Sequence, residues 1–195
     1  DVQEGSPITC LRAGLTGTTL ITVNPLPSAV INGTTEVCLN DASPIVTFTG
    51  SGTVAPYTFN YTINAVPQPP LVSNAAGIAT IPVPTNIANT FTYNLVSVQD
   101  ASSTLCLQTI TGQQAIVIVH PLPTANFNYT TPSCETRTID FTDISTPNVG
   151  TLTGWAWNFG DPASGGNNTS TLQNPSHTFA TAGSDIVELI VTSSK

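Results

Sequence analysis

Trp155-Ala156-Trp157-Asn158-Phe159-Gly160-Asp161 is the stretch that decides the fold. Side chains alternate across a strand, so Trp155, Trp157 and Phe159 share one face and Ala156 and Asn158 the other. Three aromatics on one face supply a large core contribution. Gly160-Asp161 then marks a sharp turn. Thirty residues on, Val187, Leu189 and Val191 alternate in the same way.

The period of two runs back through the chain. Thr58-Phe59-Asn60-Tyr61-Thr62-Ile63 sets Phe59, Tyr61 and Ile63 on one face, Val46 and Phe48 make another, and Phe91, Tyr93 and Leu95 a third. Ile116 to Val119 is continuously apolar, as expected of a strand buried on both faces. Sixteen prolines and 14 glycines break the chain often enough for an all-β sandwich. No 11-residue stretch keeps a helical apolar period.

The sequence also repeats. Val2-Gln3 recurs as Val98-Gln99, and Cys10-Leu11 as Cys106-Leu107. Ile21-Thr22-Val23 recurs within Ile116–Val119, Pro25-Leu26-Pro27 as Pro121-Leu122-Pro123, and Cys38 as Cys134. Every pair is 96 residues apart, and chance similarity would not hold one offset across a 37-residue stretch. Two prolines in three residues end a strand and stiffen a connection, so each Pro-Leu-Pro reads as a seam. The expected domains are 1–24, the last strands of a preceding domain; 25–120, a complete domain; and 121–195, a third.

Composition narrows the function. Only 7% of residues are charged, and 3 basic residues stand against 11 acidic ones, for a net charge of −8. Arg12, Arg137 and Lys195 cannot neutralise a phosphate backbone, which argues against nucleic acid, or bind an anionic membrane surface. No apolar run approaches the roughly 18 residues of a spanning helix. Asp1-Val2-Gln3-Glu4 opens no signal peptide, so an export signal is expected outside this sequence.

Four cysteines without a CxxC pair point to disulfides. The repeat sets the expected pairing. Cys38 and Cys106, 68 residues apart, are the two cysteines of the complete domain and are expected to bond, which is worth about 4 kcal/mol in the chain-entropy model. Cys10 then belongs to a domain whose early half is missing, and Cys134 to one whose late cysteine lies beyond Lys195. Both are expected to be unpaired within this chain.

Three segments in order resemble a PKD (polycystic kidney disease) domain. They are Ile139-Asp140-Phe141-Thr142-Asp143, then the tryptophan segment with its Gly-Asp turn, then Asn174-Pro175-Ser176-His177-Thr178-Phe179, followed by Ala182-Gly183 and Val187–Val191. Pro162, where the family usually has glycine, and Asp185, where an aromatic is common, depart from it. The resemblance implies an immunoglobulin-like β-sandwich. With the repeat, the expected fold class is all-β, tandem immunoglobulin-like β-sandwich domains. Cysteine-bearing repeats, Pro-Leu-Pro seams and a PKD unit together resemble the giant surface adhesins and gliding-motility proteins exported by Bacteroidota through type IX secretion.

No catalytic constellation is legible, and no enzyme activity is expected. His177 belongs to the family's structural motif, and no Ser-His-Asp or Cys-His set accompanies it. His120 aligns with Asn24 and reads as a linker residue. No cofactor is expected. Asp140, Asp143 and Asp161 are the oxygens a calcium ion would have, with Asp41 and Asp100 in the middle domain, but no D-x-[DN]-x-[DN]-G loop frames them and solvated turn carboxylates are favoured. Asn32, Asn60, Asn128 and Asn168 head acceptor triplets that a Thr/Asn-rich chain produces by chance. Ile186 and Ile190 fall on the outward face of the last strand, where the family usually carries threonine, and form an expected contact surface.

The expected function is a structural and adhesive repeat segment of a long secreted, cell-surface protein or extracellular filament. Its expected partners are neighbouring domains, copies of the same protein, surface glycans or other cells. The alternative is an accessory segment of a secreted glycan- or protein-degrading enzyme.

Overall fold

The computed structural model describes residues 23–131 and 137–195. Cys10 and Cys134, and all but the last two residues of 1–24, lie outside the described residues. The fold is all-β, two immunoglobulin-like sandwiches in series.

The first sandwich holds β1 (Ser28–Asn32), β2 (Thr35–Cys38), β3 (Ile45–Ser51), β4 (Thr58–Ile63), β5 (Val66–Pro67), β6 (Leu71–Val72), β7 (Ile78–Pro82), β8 (Asn89–Gln99), β9 (Leu107–Thr109) and β10 (Gln114–His120). One sheet has the order β1-β3-β7. The other has β2-β10-β8-β4-β5, with β6 on β4 and β9 on β8. The chain changes sheets between β1 and β2 at Gly33, whose φ of +121° suits glycine and where a Cβ would collide with the Ile45 carbonyl. β2 then runs parallel to β10, with Cys38 opposite His120, while β10 runs antiparallel to β8.

The inward faces are those the period of two picks out. Val46, Phe48, Phe59, Tyr93 and Leu95 are buried in one core. Phe48 meets Phe59 at 5.6 Å and Tyr61 at 5.2 Å between ring centroids, within the favourable range for aromatic pairs. β10 departs from expectation. Ala115, Val117 and Val119 are buried, but Ile116 and Ile118 are only half-buried. A two-layer sandwich covers one face of each sheet, so a continuously apolar run gains no second covering.

The second sandwich holds β11 (Phe127–Tyr129), β12 (Thr138–Asp143), β13 (Leu152–Asn158), a short 3₁₀ segment (Pro162–Asn168), β14 (Thr169–Ser170), β15 (Ser176–Thr178) and β16 (Glu188–Ser193). Its sheets have the orders β11-β12-β15 and β14-β13-β16. Ile139, Phe141, Trp157 and Phe159 form its buried core, with Phe127 against Trp157 at 5.0 Å. Gly160 takes a φ of +69°, and a Cβ there would strike the Ile186 backbone, so the turn after β13 needs glycine. Pro162, the departure from the family pattern, sits at the start of the 3₁₀ segment, where its missing N–H costs nothing.

Candidate functional site

The expected Cys38–Cys106 disulfide is not formed; both thiols are free. The topology gives the reason. Cys38 lies opposite His120, and the neighbouring Val119 lies opposite Asn89, the start of β8. Cys106 precedes Leu107, which lies opposite Gln99, the end of β8. At about 3.3 Å per residue the 11 residues of β8 put these two ends roughly 33 Å apart. A disulfide holds its Cα atoms about 4.4–6.8 Å apart. Early and late strands are neighbours here, but parallel pairing of β2 with β10 sends the two cysteines to opposite poles.

His177 and Asp161 do meet, on the segments the sequence singled out. Both are 3% exposed. His177 Nε2 lies 3.1 Å from Asp161 Oδ2, and the Ala180 N–H donates to the same oxygen at 2.8 Å. The imidazole stacks on Phe159 at 4.3 Å and meets Phe179 edge-on at 4.6 Å. The Ala180 amide, and after it His177, hold the Asp161 carboxyl below its usual range against the effect of burial. The pair joins β15 to the turn after β13. Every contact that fixes it comes from the fold itself, which makes it a clamp between the sheets.

The other calcium candidates stay apart. Asp143 accepts hydrogen bonds from Trp155 Nε1–H (2.8 Å) and Gln173 Nε2–H (3.1 Å) through Oδ2, and from the Ser145 N–H through Oδ1. Burial pushes its carboxyl up, and these donors together hold it below the usual range. Asp140 accepts from the Ser176 hydroxyl. Asp100 accepts from the Cys106 and Ser102 N–H groups and the Ser102 hydroxyl, ordering the loop into β9. Asp41 accepts from the Cys38 N–H. Among the described residues no three His, Cys, Asp or Glu side chains gather as a metal site.

One cluster escaped the sequence reading. His120 Nε2 lies 2.9 Å from Glu36 Oε2, and Lys195 Nζ donates to the same oxygen at 2.7 Å. Lys195, then His120, hold the Glu36 carboxyl below its usual range. Glu36 is on β2 of the first sandwich and Lys195 follows β16 of the second, so the cluster bridges the seam. Those residues are 159 apart in sequence, and no local pattern connects them.

The expected contact residues are exposed, Ile186 to 81% and Ile190 to 69%. Only Ile190 is in β16; Ile186 precedes it. A cavity of about 570 Å³ is lined by Phe127, Tyr129, Ile139, Phe141, Phe179 and Val187 among others, and neither isoleucine lines it. No helix among the described residues is long and apolar enough to cross a membrane.

No curated protein matches the chain. Among solved structures it is similar to the fibronectin(III)-like modules of Clostridium thermocellum CbhA, at 9% identity over 86% of each chain and a TM-score of 0.35. A 1.5-MDa bacterial ice-binding adhesin shares 10% identity over 89% of this chain and 55% of its own, at a TM-score of 0.39. The BSP domain of a biofilm associated protein shares 13% over 87% of this chain and 27% of its own, at 0.28. The family model that matches is the PKD domain, over residues 120–195, which takes in β11 to β16 with the His177–Asp161 clamp.

Proposed function

We propose that this chain is a structural and adhesive repeat segment of a long secreted protein displayed at the cell surface or built into an extracellular filament, of the Bacteroidota gliding-motility type. The observation that carries the reading is the series arrangement: two sandwiches joined through Pro121-Leu122-Pro123, with Glu36, His120 and Lys195 bridging the seam. Proline fixes φ and the bridge adds a second tether, which suits reach and load. The 96-residue repeat supports a longer series. The PKD match over residues 120–195 supports an extracellular setting. In this reading the segment carries no catalysis, and its His177–Asp161 pair serves to tie β15 to the turn after β13. Deleting the segment from the parent gene should leave export intact and reduce cell attachment or cohesion. Attachment unchanged by the deletion would contradict the reading.

A further inference from the structure

The two free thiols of the first sandwich lie at its two ends, half-buried. Cys38 closes β2 opposite His120, the last residue of β10, and the Leu39 N–H donates to the His120 carbonyl at 2.8 Å. Paired strands run about 4.8 Å apart, so Cys38 stands one strand spacing from His120. At the other end the Asn24 Nδ2–H donates to Thr104 Oγ1 at 2.7 Å, and Thr104 Oγ1 lies 3.2 Å from Cys106 Sγ. The buried Asp100 fixes this loop by accepting from the Cys106 N–H at 2.8 Å.

Asn24 and His120 are the same position of the repeat, 96 residues apart. One landmark therefore has both kinds of cysteine beside it. The early cysteine, Cys38, lies beside it on the neighbouring strand of its own unit. The late cysteine, Cys106, lies beside it across the seam, in the unit that follows. The seam after His120 agrees. β16 lies beside β13 as β8 lies beside β4, so the end of β16 is the counterpart of the end of β8 that leads to Cys106. That end meets the strand of Cys38: Lys195, two residues after β16, donates to Glu36, two residues before Cys38. A cleft of about 290 Å³ opens there, lined by Glu36, Val37, Cys38, Asp41, His120 and Lys195.

We propose that the cysteines form disulfides between consecutive units, the early cysteine of each unit with the late cysteine of the next. Cys106 then bonds the preceding unit's counterpart of Cys38, and Cys38 bonds the following unit's counterpart of Cys106. The inference rests on the reading of the chain as part of a series. Within one unit the thiols are roughly 33 Å apart along β8, whereas across a seam they flank a single residue, the scale on which the Cα separation of about 4.4–6.8 Å is met. The bond forms by exchange with a disulfide oxidant of the kind that oxidising compartments hold. One cysteine thiolate attacks the oxidant's disulfide and releases one of its sulfurs. The second cysteine thiolate attacks the mixed disulfide and releases the other. Two electrons pass to the oxidant, which leaves as a dithiol carrying the two protons that the cysteines lost. Each seam is then spanned by two covalent connections, the proline linker and the disulfide.

The test uses the full-length protein, extracted from source cells in the presence of a thiol-blocking reagent and digested without reduction. The peptide holding Cys106 should be joined to a peptide of the preceding unit, and the peptide holding Cys38 to one of the following unit. Cys106→Ser in the full-length protein should open the preceding unit's early cysteine to thiol labelling and leave Cys38 unlabelled. A Cys38–Cys106 peptide overturns the proposal, and so does labelling of Cys38 in the Cys106→Ser variant. Cysteines recovered with the blocking reagent attached, in a protein that does hold neighbouring units, overturn this inference alone. A full-length protein without neighbouring cysteine-bearing units overturns the series reading together with it.

Discussion

At the scale of single residues the cysteines decide most. Cys38 and Cys106 sit at opposite poles of one sheet with free thiols, so neither crosslinks the domain. Replacing either by serine should shift the unfolding free energy of the first sandwich by less than about 1 kcal/mol. An intradomain bridge would make each replacement cost about 4 kcal/mol. Urea unfolding, followed with a thiol-labelling reagent, separates the two. The sequence could not reveal this, because separation along the chain is legible in it and the end of the sheet at which a residue lies is not. His177 was legible as a structural residue because its motif carries the clamp with it. Asp161 has a titration that can be followed. Its folded pKa lies below the unfolded value of about 3.9. The stability it contributes is therefore full above that unfolded value and is lost as pH falls through the folded one. The second sandwich, read by tryptophan fluorescence, should lose stability below about pH 4, and Asp161→Asn should reduce the slope.

At the scale of elements, period-two patterning located β4, β8, β13 and β16, because one inward face per strand is what a sandwich imposes. It overstated β10, where the apolar outer residues are half-buried. The short strands β5, β6, β9 and β14 were not legible, since two or three residues carry no period. Trp157 lies at the centre of the second core, packed on Phe127, Phe141 and Phe159. Trp157→Ala should cost about 3–5 kcal/mol and unfold the second sandwich first. Calorimetry should then show the transition of the first sandwich unchanged. By contrast, Ile186→Thr with Ile190→Thr should alter stability by no more than about 0.5 kcal/mol per site in the isolated chain, since both side chains are already in water.

At the scale of the whole molecule, the seam is where the sequence was least informative. Pro121-Leu122-Pro123 lies between β10 and β11, but the Glu36–His120–Lys195 bridge depends on two sandwiches meeting. Glu36→Gln should leave each sandwich as stable as before and broaden the distribution of interdomain distances in double-label spectroscopy; an unchanged distribution would mean that the prolines alone set the seam. The proposed function makes the chain one stretch of a long, non-catalytic surface array. Its most direct test is to recover the parent polypeptide from the surface of source cells with an antibody to this chain and map it end to end by mass spectrometry. The account predicts further cysteine-bearing units at the 96-residue spacing and no catalytic domain; a glycan- or protein-degrading domain on the same polypeptide would contradict it.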